Sequence, residues 1–305
     1  YQETVFYQIC PLGLCGAPEK NDDIQAHRIL KIKEFVPYLE ELGIGAVYFN
    51  PVFNSDSHGY DTRDYNLIDT RLGTNEDFEE VCKTLHEHGI KVVLDGVFNH
   101  VGRGFFAFRD VQEKGSSSQY ANWFHINFDG DSSYGDGFWY EGWEGHYELV
   151  KLNLDNPDVQ HYLLDAVDYW IRCFDIDGLR LDAVGNLIYW QGNSGRGENR
   201  EAICFVQNFN RGLKQRVPHT LLFAEDSSSY QGVTRSVDQG GLGFDYKWDL
   251  GWMNDTLDYF MKTPEERPSF YHKLTFSMMY FYNEHFILPF SHDEVVHGTV
   301  SYTHL

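Results

Sequence analysis

Residues 177–184 read DGLRLDAV, a short apolar run interrupted by two charges, Arg180 and Asp182. In an extended chain alternate residues share a side, so guanidinium and carboxylate lie together while Leu179, Leu181 and Ala183 face elsewhere. A fold that accepts two charges in a buried strand must satisfy them or use them. The pair is therefore either an ion pair that holds the sheet together or part of a reaction centre.

Similar runs flank this one on both sides: TVFYQI at 4–9, GAVYFN at 45–50, IKVVLDGV at 90–97, TLLFAED at 220–226, GFDYKW at 243–248 and FILPFSHD at 286–293. Helical patterns separate them. Ile29, Ile32, Val36, Leu39 and Leu42 fall on one helical face, as do Phe78, Val81, Cys82 and Leu85. Asn156 followed by Pro157 is a capping side chain and a first-turn proline, and it opens a stripe of Val159, Leu163, Val167, Trp170 and Phe174. Strands that alternate with helices imply parallel pairing. Seven such strands fit a closed (β/α)8 TIM barrel better than an open doubly wound sheet, with the eighth expected beyond Leu305. Strand starts recur about every 40 to 45 residues, but the interval from 90 to 177 is about twice that. Residues 101–150, rich in Gly, Ser, Asp, Trp and Tyr, read as an irregular subdomain inserted after the third strand. The predicted organisation is a first barrel part over 1–100, the insertion over 101–150, and the rest of a barrel truncated before its eighth strand over 151–305.

The 305 residues carry a formal charge of −22, which argues against nucleic acid or an anionic membrane as partner, since both attract basic surfaces. A neutral substrate is indifferent to that charge. Aromatic residues make up 16% of the chain, enough to offer some ring faces to a ligand beyond those a core needs. The five cysteines are scattered and form no CxxC pair, so they read as reduced and structural, and a cytoplasmic location is expected. No apolar stretch approaches the roughly 20 residues that span a bilayer. The chain opens at Tyr1 almost directly on a strand-like run and shows no leader pattern, so a fragment is expected.

Polar residues gather at the C-terminal ends of the predicted strands. DGVFNH supplies Asp95, Asn99 and His100; GLRLDAV supplies Arg180 and Asp182; FAED supplies Glu225; SHDEVVHG supplies His292 and Asp293. In a parallel barrel that edge forms the active site, because the loops after the strands converge there. A single aspartate at a strand end is more often a cap or an ion pair; four motifs on four strands are hard to explain by capping. Several carboxylates without an obligatory metal or nucleotide suit glycosidic bond cleavage, in which one carboxylate is anionic and another protonated. Arg180 favours the ionised form of Asp182, as a nucleophile needs. Glu225 follows an apolar run whose desolvation raises its pKa, as a general acid needs. His100 and His292 equally suit metal ligation, but neither has HxH or HExxH spacing, which leaves zinc on Asp95, His100 and His292 as a minor alternative.

With these motifs in this order, the chain resembles the α-amylase superfamily of glycoside hydrolases and transglycosylases. The resemblance implies that Asp182 is the nucleophile, Glu225 the general acid/base and Asp293 the transition-state stabiliser. It also implies that Arg180 orients the nucleophile, that Asp95, His100 and His292 contact substrate, and that Tyr60, in HGYDTRDY, stacks beneath the sugar. The implied substrate is an α-1,4-glucan or maltooligosaccharide, cleaved with retention and without an organic cofactor; calcium near Asn99 is a further possibility. A branching transferase is the alternative to a hydrolase. A non-catalytic glycan-binding relative is a remote third reading, because its signature would be loss of a carboxylate and all three are present.

HGYDTRDY, DGVFNHVGRGFFAFRDV, YANWFHI and LNLDNPDV resemble the neopullulanase and cyclomaltodextrinase group. NLIYWQGNSGRGENREAI, GVTRSVDQGGLGFDYKWDLGWMNDTL and SHDEVVHG resemble glycogen branching enzymes. The change falls at LRLDAV, which both groups share, so a joined sequence is expected. The closing TVSYTHL departs from the branching-enzyme pattern, and poor activity of the isolated fragment is expected because a barrel lacking one strand exposes two edges.

Overall fold

In a computed structural model, which describes residues 4–291, the alternation seen in DGLRL recurs strand by strand around one parallel sheet. Seven strands form it: β1 (Val5–Ile9), β2 (Ile44–Phe49), β3 (Lys91–Gly96), β4 (Gly178–Leu181), β5 (Leu221–Ala224), β6 (Tyr246–Trp248) and β7 (Phe286–Ile287). They lie side by side in sequence order, and every pairing is parallel. All seven runs read from the sequence are therefore strands of this sheet. Among the described residues β1 pairs only with β2 and β7 only with β6.

Period-two alternation splits the side chains between two cores. Leu179 and Leu181 point outward into the large core under the helices. The opposite face packs Tyr48, Val93, Phe223 and Trp248 into a second cluster inside the curved sheet. Gly178 sits in that inner layer because nothing larger fits: an added Cβ would lie 2.8 Å from the Phe223 ring and 3.1 Å from Val93. Strand β4 pairs with β3 and β5 without a register shift, so the segment shared by the two halves of the sequence is also continuous in the sheet.

The helices between strands are α1 (Asn75–Glu87), α2 (Pro157–Phe174), α3 (Arg200–Arg216) and α4 (Leu250–Met261). Thr74 and Asp77 close a capping box on α1, and the Asn156 side chain accepts from the Asp158 amide at the start of α2, with Pro157 at its first position. Both apolar stripes are buried as their spacing requires. The first helical segment departs from its reading. Residues Arg28–Phe35 form a 3-10 helix that passes into a short α-helix, Val36–Glu41. The α-helix ends at Glu41, so Leu42, placed on the buried face by periodicity, is its C-cap and is 47% exposed, whereas Val36 and Leu39 stay buried.

Residues 100–151 are more regular than composition suggests. They hold an α-helix, Phe106–Lys114, and strand His146–Lys151, which pairs antiparallel with His100–Gly102 and Gly142–Trp143. No disulfide forms among the five cysteines, all free. Among the described residues no helix is long and apolar enough to cross a membrane.

Candidate active site

A charged floor closes the C-terminal end of the inner core. Asp95 is the next-to-last residue of β3 and Arg180 lies beside it on β4, in direct register. Arg180 Nη1 donates to both Asp95 carboxylate oxygens, at 2.8 and 3.0 Å, and to Asp182 Oδ1 at 2.6 Å. The Tyr48 hydroxyl donates to Asp95 Oδ2 at 2.6 Å. The guanidinium carbon stands 4.6 Å from the Trp248 ring centre and 5.6 Å from that of Tyr48, so its faces are covered by aromatic rings. Burial raises the Asp95 carboxyl above its ordinary range, and Arg180 pulls the other way.

Asp182 and Glu225 rise from this floor onto one rim. Asp182 follows β4, its amide donating to the Gly96 carbonyl at 3.1 Å. Glu225 follows β5, and its Oε2 accepts from the Ala183 amide at 2.6 Å. Arg180 Nη2 lies 3.6 Å from the same Oε2, so one guanidinium reaches both rim carboxylates. The chain turns sharply here: Ala183 takes a left-handed φ of 48°, an uncommon region for a residue with a side chain. Burial raises the pKa of Glu225, Arg180 opposes the rise and Asp182 adds to it. Behind the rim, the Asp226 carboxylate accepts from Lys247 Nζ at 2.8 Å and from the Ser228 amide at 2.9 Å, which fixes the loop after β5.

The other wall comes from the end of β1 and the loops after β2 and β3. Gln8 Nε2 donates to Asn50 Oδ1 at 2.9 Å, and Asn50 Nδ2 donates to the Tyr60 hydroxyl at 2.8 Å. His100 is buried, which pushes its ring down to about 4 and leaves it neutral at neutral pH; Asp182 is the first charge opposing that shift. The geometry thus brings Asp95, Arg180, Asp182, Glu225 and His100 together, with Tyr60 on the adjoining loop. His292 and Asp293 lie outside the described residues.

A strand-borne ring of carboxylates about one buried arginine agrees with what comparison finds. The catalytic domain model "Alpha amylase, catalytic domain" matches residues 30–264. The chain belongs to the alpha-amylase family. It is 37% identical over 279 residues to a 1,4-alpha-glucan branching enzyme of Clostridium perfringens, covering 87% of this chain and 40% of that one. It therefore spans less than half the length of that relative. Among solved structures it resembles a cyclomaltodextrinase, with 31% identity, a TM-score of 0.66, and coverage of 88% of this chain and 46% of the other. It also resembles the debranching enzyme of Nostoc punctiforme, with 29% identity, a TM-score of 0.71, and coverage of 91% and 61%.

For this alpha-amylase domain, the surroundings of Asn99 do not fit a calcium cage. Asn99 Oδ1 is buried without a hydrogen-bond partner, an acceptor that a cation would suit. The adjoining cavity, however, is only about 10 Å³, and Lys151 lines it too. Lys151 is buried, burial lowers the pKa of its ammonium, and its nearest carboxylate is Glu141 at 3.7 Å. A divalent cation would share a water-sized space with an ammonium. Zinc on Asp95 meets a similar obstacle, since both carboxylate oxygens are engaged by the Arg180 guanidinium. Among the described residues no cluster of three or more His, Cys, Asp or Glu is placed to hold a metal.

Sequence reading missed Tyr48 and Trp248, which look like core aromatics in their strands and serve as such while bracketing Arg180. It also missed Gln8 and Asn50, whose place at the ends of β1 and β2 was the available signal.

Proposed function

We propose that this chain carries the catalytic centre of a retaining α-glucan-active enzyme that cleaves α-1,4-glucosidic bonds by double displacement. The observation that carries this reading is the single Arg180 guanidinium touching Asp182 and Glu225 on one rim, with burial raising Glu225. Asp182 attacks the anomeric carbon while Glu225 donates its proton to the departing oxygen. The resulting β-glycosyl ester is then opened by water or by a sugar hydroxyl, whose proton passes to Glu225. Arg180 orients Asp182; Asp95 holds Arg180 and faces substrate; neutral His100 and the Tyr60 ring receive the same glucose unit. His292 and Asp293 complete the contacts, with Asp293 as stabiliser. No organic cofactor or calcium enters this scheme. The substrate is an uncharged α-glucan, to which a chain of charge −22 is indifferent, and the five free thiols suit a reducing cytoplasm.

The same proposal divides the chain into barrel parts at 1–100 and 151–305 around an inserted unit at 101–150, with one more strand needed to join β7 to β1. Branching transfer is the second reading, favoured by the 37% identity to a branching enzyme. The test is stoichiometric, so it does not depend on efficient turnover. Incubation with a 5-fluoro-α-glucosyl fluoride should add one glycosyl mass to the peptide holding Asp182, and Asp182→Asn should abolish the adduct. Labelling elsewhere, or none, would sink the proposal. Reducing-end release and iodine staining of amylose then separate the two readings: new reducing ends alone mean hydrolysis, and a colour change without them means branching.

A further inference from the structure

Next to the rim, two segments distant in sequence are tied together: the Trp143 ring of one stands 5.8 Å from that of His100, and the helix of the other begins directly after Ala183. The hairpin tip at 141–145 meets residues 186–192, which run from the short helix Val184–Ile188 into the turn after it. Gln191 spans the gap with both ends of its amide: Oε1 accepts from the Glu144 amide at 3.0 Å, and Nε2 donates to Glu141. Asn186 Nδ2 donates to Glu144 Oε1 at 3.0 Å. Both backbones bend to make this possible, with left-handed φ of 50° at Glu144 and 55° at Gln191. Gly192 passes so close that an added Cβ would lie 2.9 Å from the Asn186 amide nitrogen and 3.1 Å from Glu144 Oε1. Glu141 is in turn held by buried Lys151.

Resting on the function proposed above, we infer that Gln191 is a positioning residue that fixes the acceptor side of the cleft and so sets how the glycosyl intermediate divides between water and a sugar hydroxyl. The acceptor must reach Glu225, which takes its proton as the new bond to the anomeric carbon forms and the ester bond to Asp182 breaks. Glu225 is hydrogen-bonded to Ala183, the residue immediately before the helix that Asn186 and Gln191 brace against the hairpin. Loosening the brace shifts the acceptor side through Ala183 and Glu225, while Arg180 keeps its own hydrogen bond to Asp182.

Gln191→Asn tests this, because asparagine tolerates the left-handed backbone but is one methylene too short to bridge both partners. Fluoride release from α-maltotriosyl fluoride reports formation of the intermediate; chromatography of products with added maltotriose reports its fate. The expected result is fluoride release within about twofold of the parent and a transfer-to-hydrolysis ratio lower by about threefold or more. Asn186→Ala, which removes the parallel contact, should move the ratio the same way. An unchanged ratio in either folded variant, with fluoride release intact, overturns the inference. Absence of even one equivalent of fluoride from the parent overturns the function reading, and this inference with it.

Discussion

Arg180 and Asp95 are not equivalent partners, and the difference is measurable. Replacing Arg180 with methionine keeps a stem of similar length but leaves Asp95, whose side chain is fully buried, with only the Tyr48 hydroxyl as partner. Stranding a buried charge in this way costs about 3–5 kcal/mol. Replacing Asp95 with asparagine is milder. Arg180 keeps Asp182 at 2.6 Å, the approach of Glu225 at 3.6 Å and the Trp248 face, and the loss is of charge-assisted hydrogen bonds worth about 1.5–3 kcal/mol. Arg180→Met should therefore destabilise more than Asp95→Asn by about 2 kcal/mol, and the double variant by less than the sum, because it removes the stranded charge. Urea unfolding followed by fluorescence reads each difference, and thermal melts should separate the two single variants by about 4–6 °C. If Asp95→Asn costs as much as Arg180→Met, or if the two effects add, the arginine is not the hub of a buried charge network and this account of the floor is wrong.

Three further outcomes follow from the same geometry. Because burial raises Glu225 in the folded chain, the folded state binds that proton more tightly than the unfolded state, and stability contributed by this group falls as pH rises from the ordinary glutamate range of about 4.3 toward its folded value. Glu225→Gln should thus gain stability relative to the parent on going from pH 4 to pH 7; a constant difference across that range would contradict it. Gly178→Ala should cost about 1–3 kcal/mol in urea unfolding, since the new methyl meets Phe223 and Val93, and a neutral result would mean that the inner layer is looser than its contacts indicate. Melting temperature should be the same in millimolar calcium and in chelator, whereas a calcium-dependent rise would show that the space beside Lys151 admits the ion.

What the sequence disclosed depended on how local each signal is. Period-two runs exposed every strand of the sheet, and the Asn156-Pro157 cap exposed the start of α2, because each needs only neighbours in the chain. The pairing of Arg180 with Asp182 was legible for the same reason, being two residues apart on one strand. Leu42 misled because a stripe does not reveal where its helix stops, and this one ends at Glu41. Tyr48 was invisible as a site residue, since its hydroxyl finds Asp95 only once β2 lies against β3. The Gln191 brace was further out of reach: its partners lie about 50 residues upstream, and nothing in NLIYWQGN marks a glutamine that will bend its own backbone to meet them.

The left-handed turn at Ala183 has a consequence for how such a centre can change over evolutionary time. One peptide group joins the two rim acids: its carbonyl carbon belongs to Asp182, and its N–H is held by Glu225. A drift in the loop after β5 that moves the glutamate therefore tugs on the residue next to the aspartate, and the reverse holds as well. The two loops are heritable as a matched set, so exchanging one for a homologue's version without the other should misalign both acids, even when every side chain in the swapped piece is conserved.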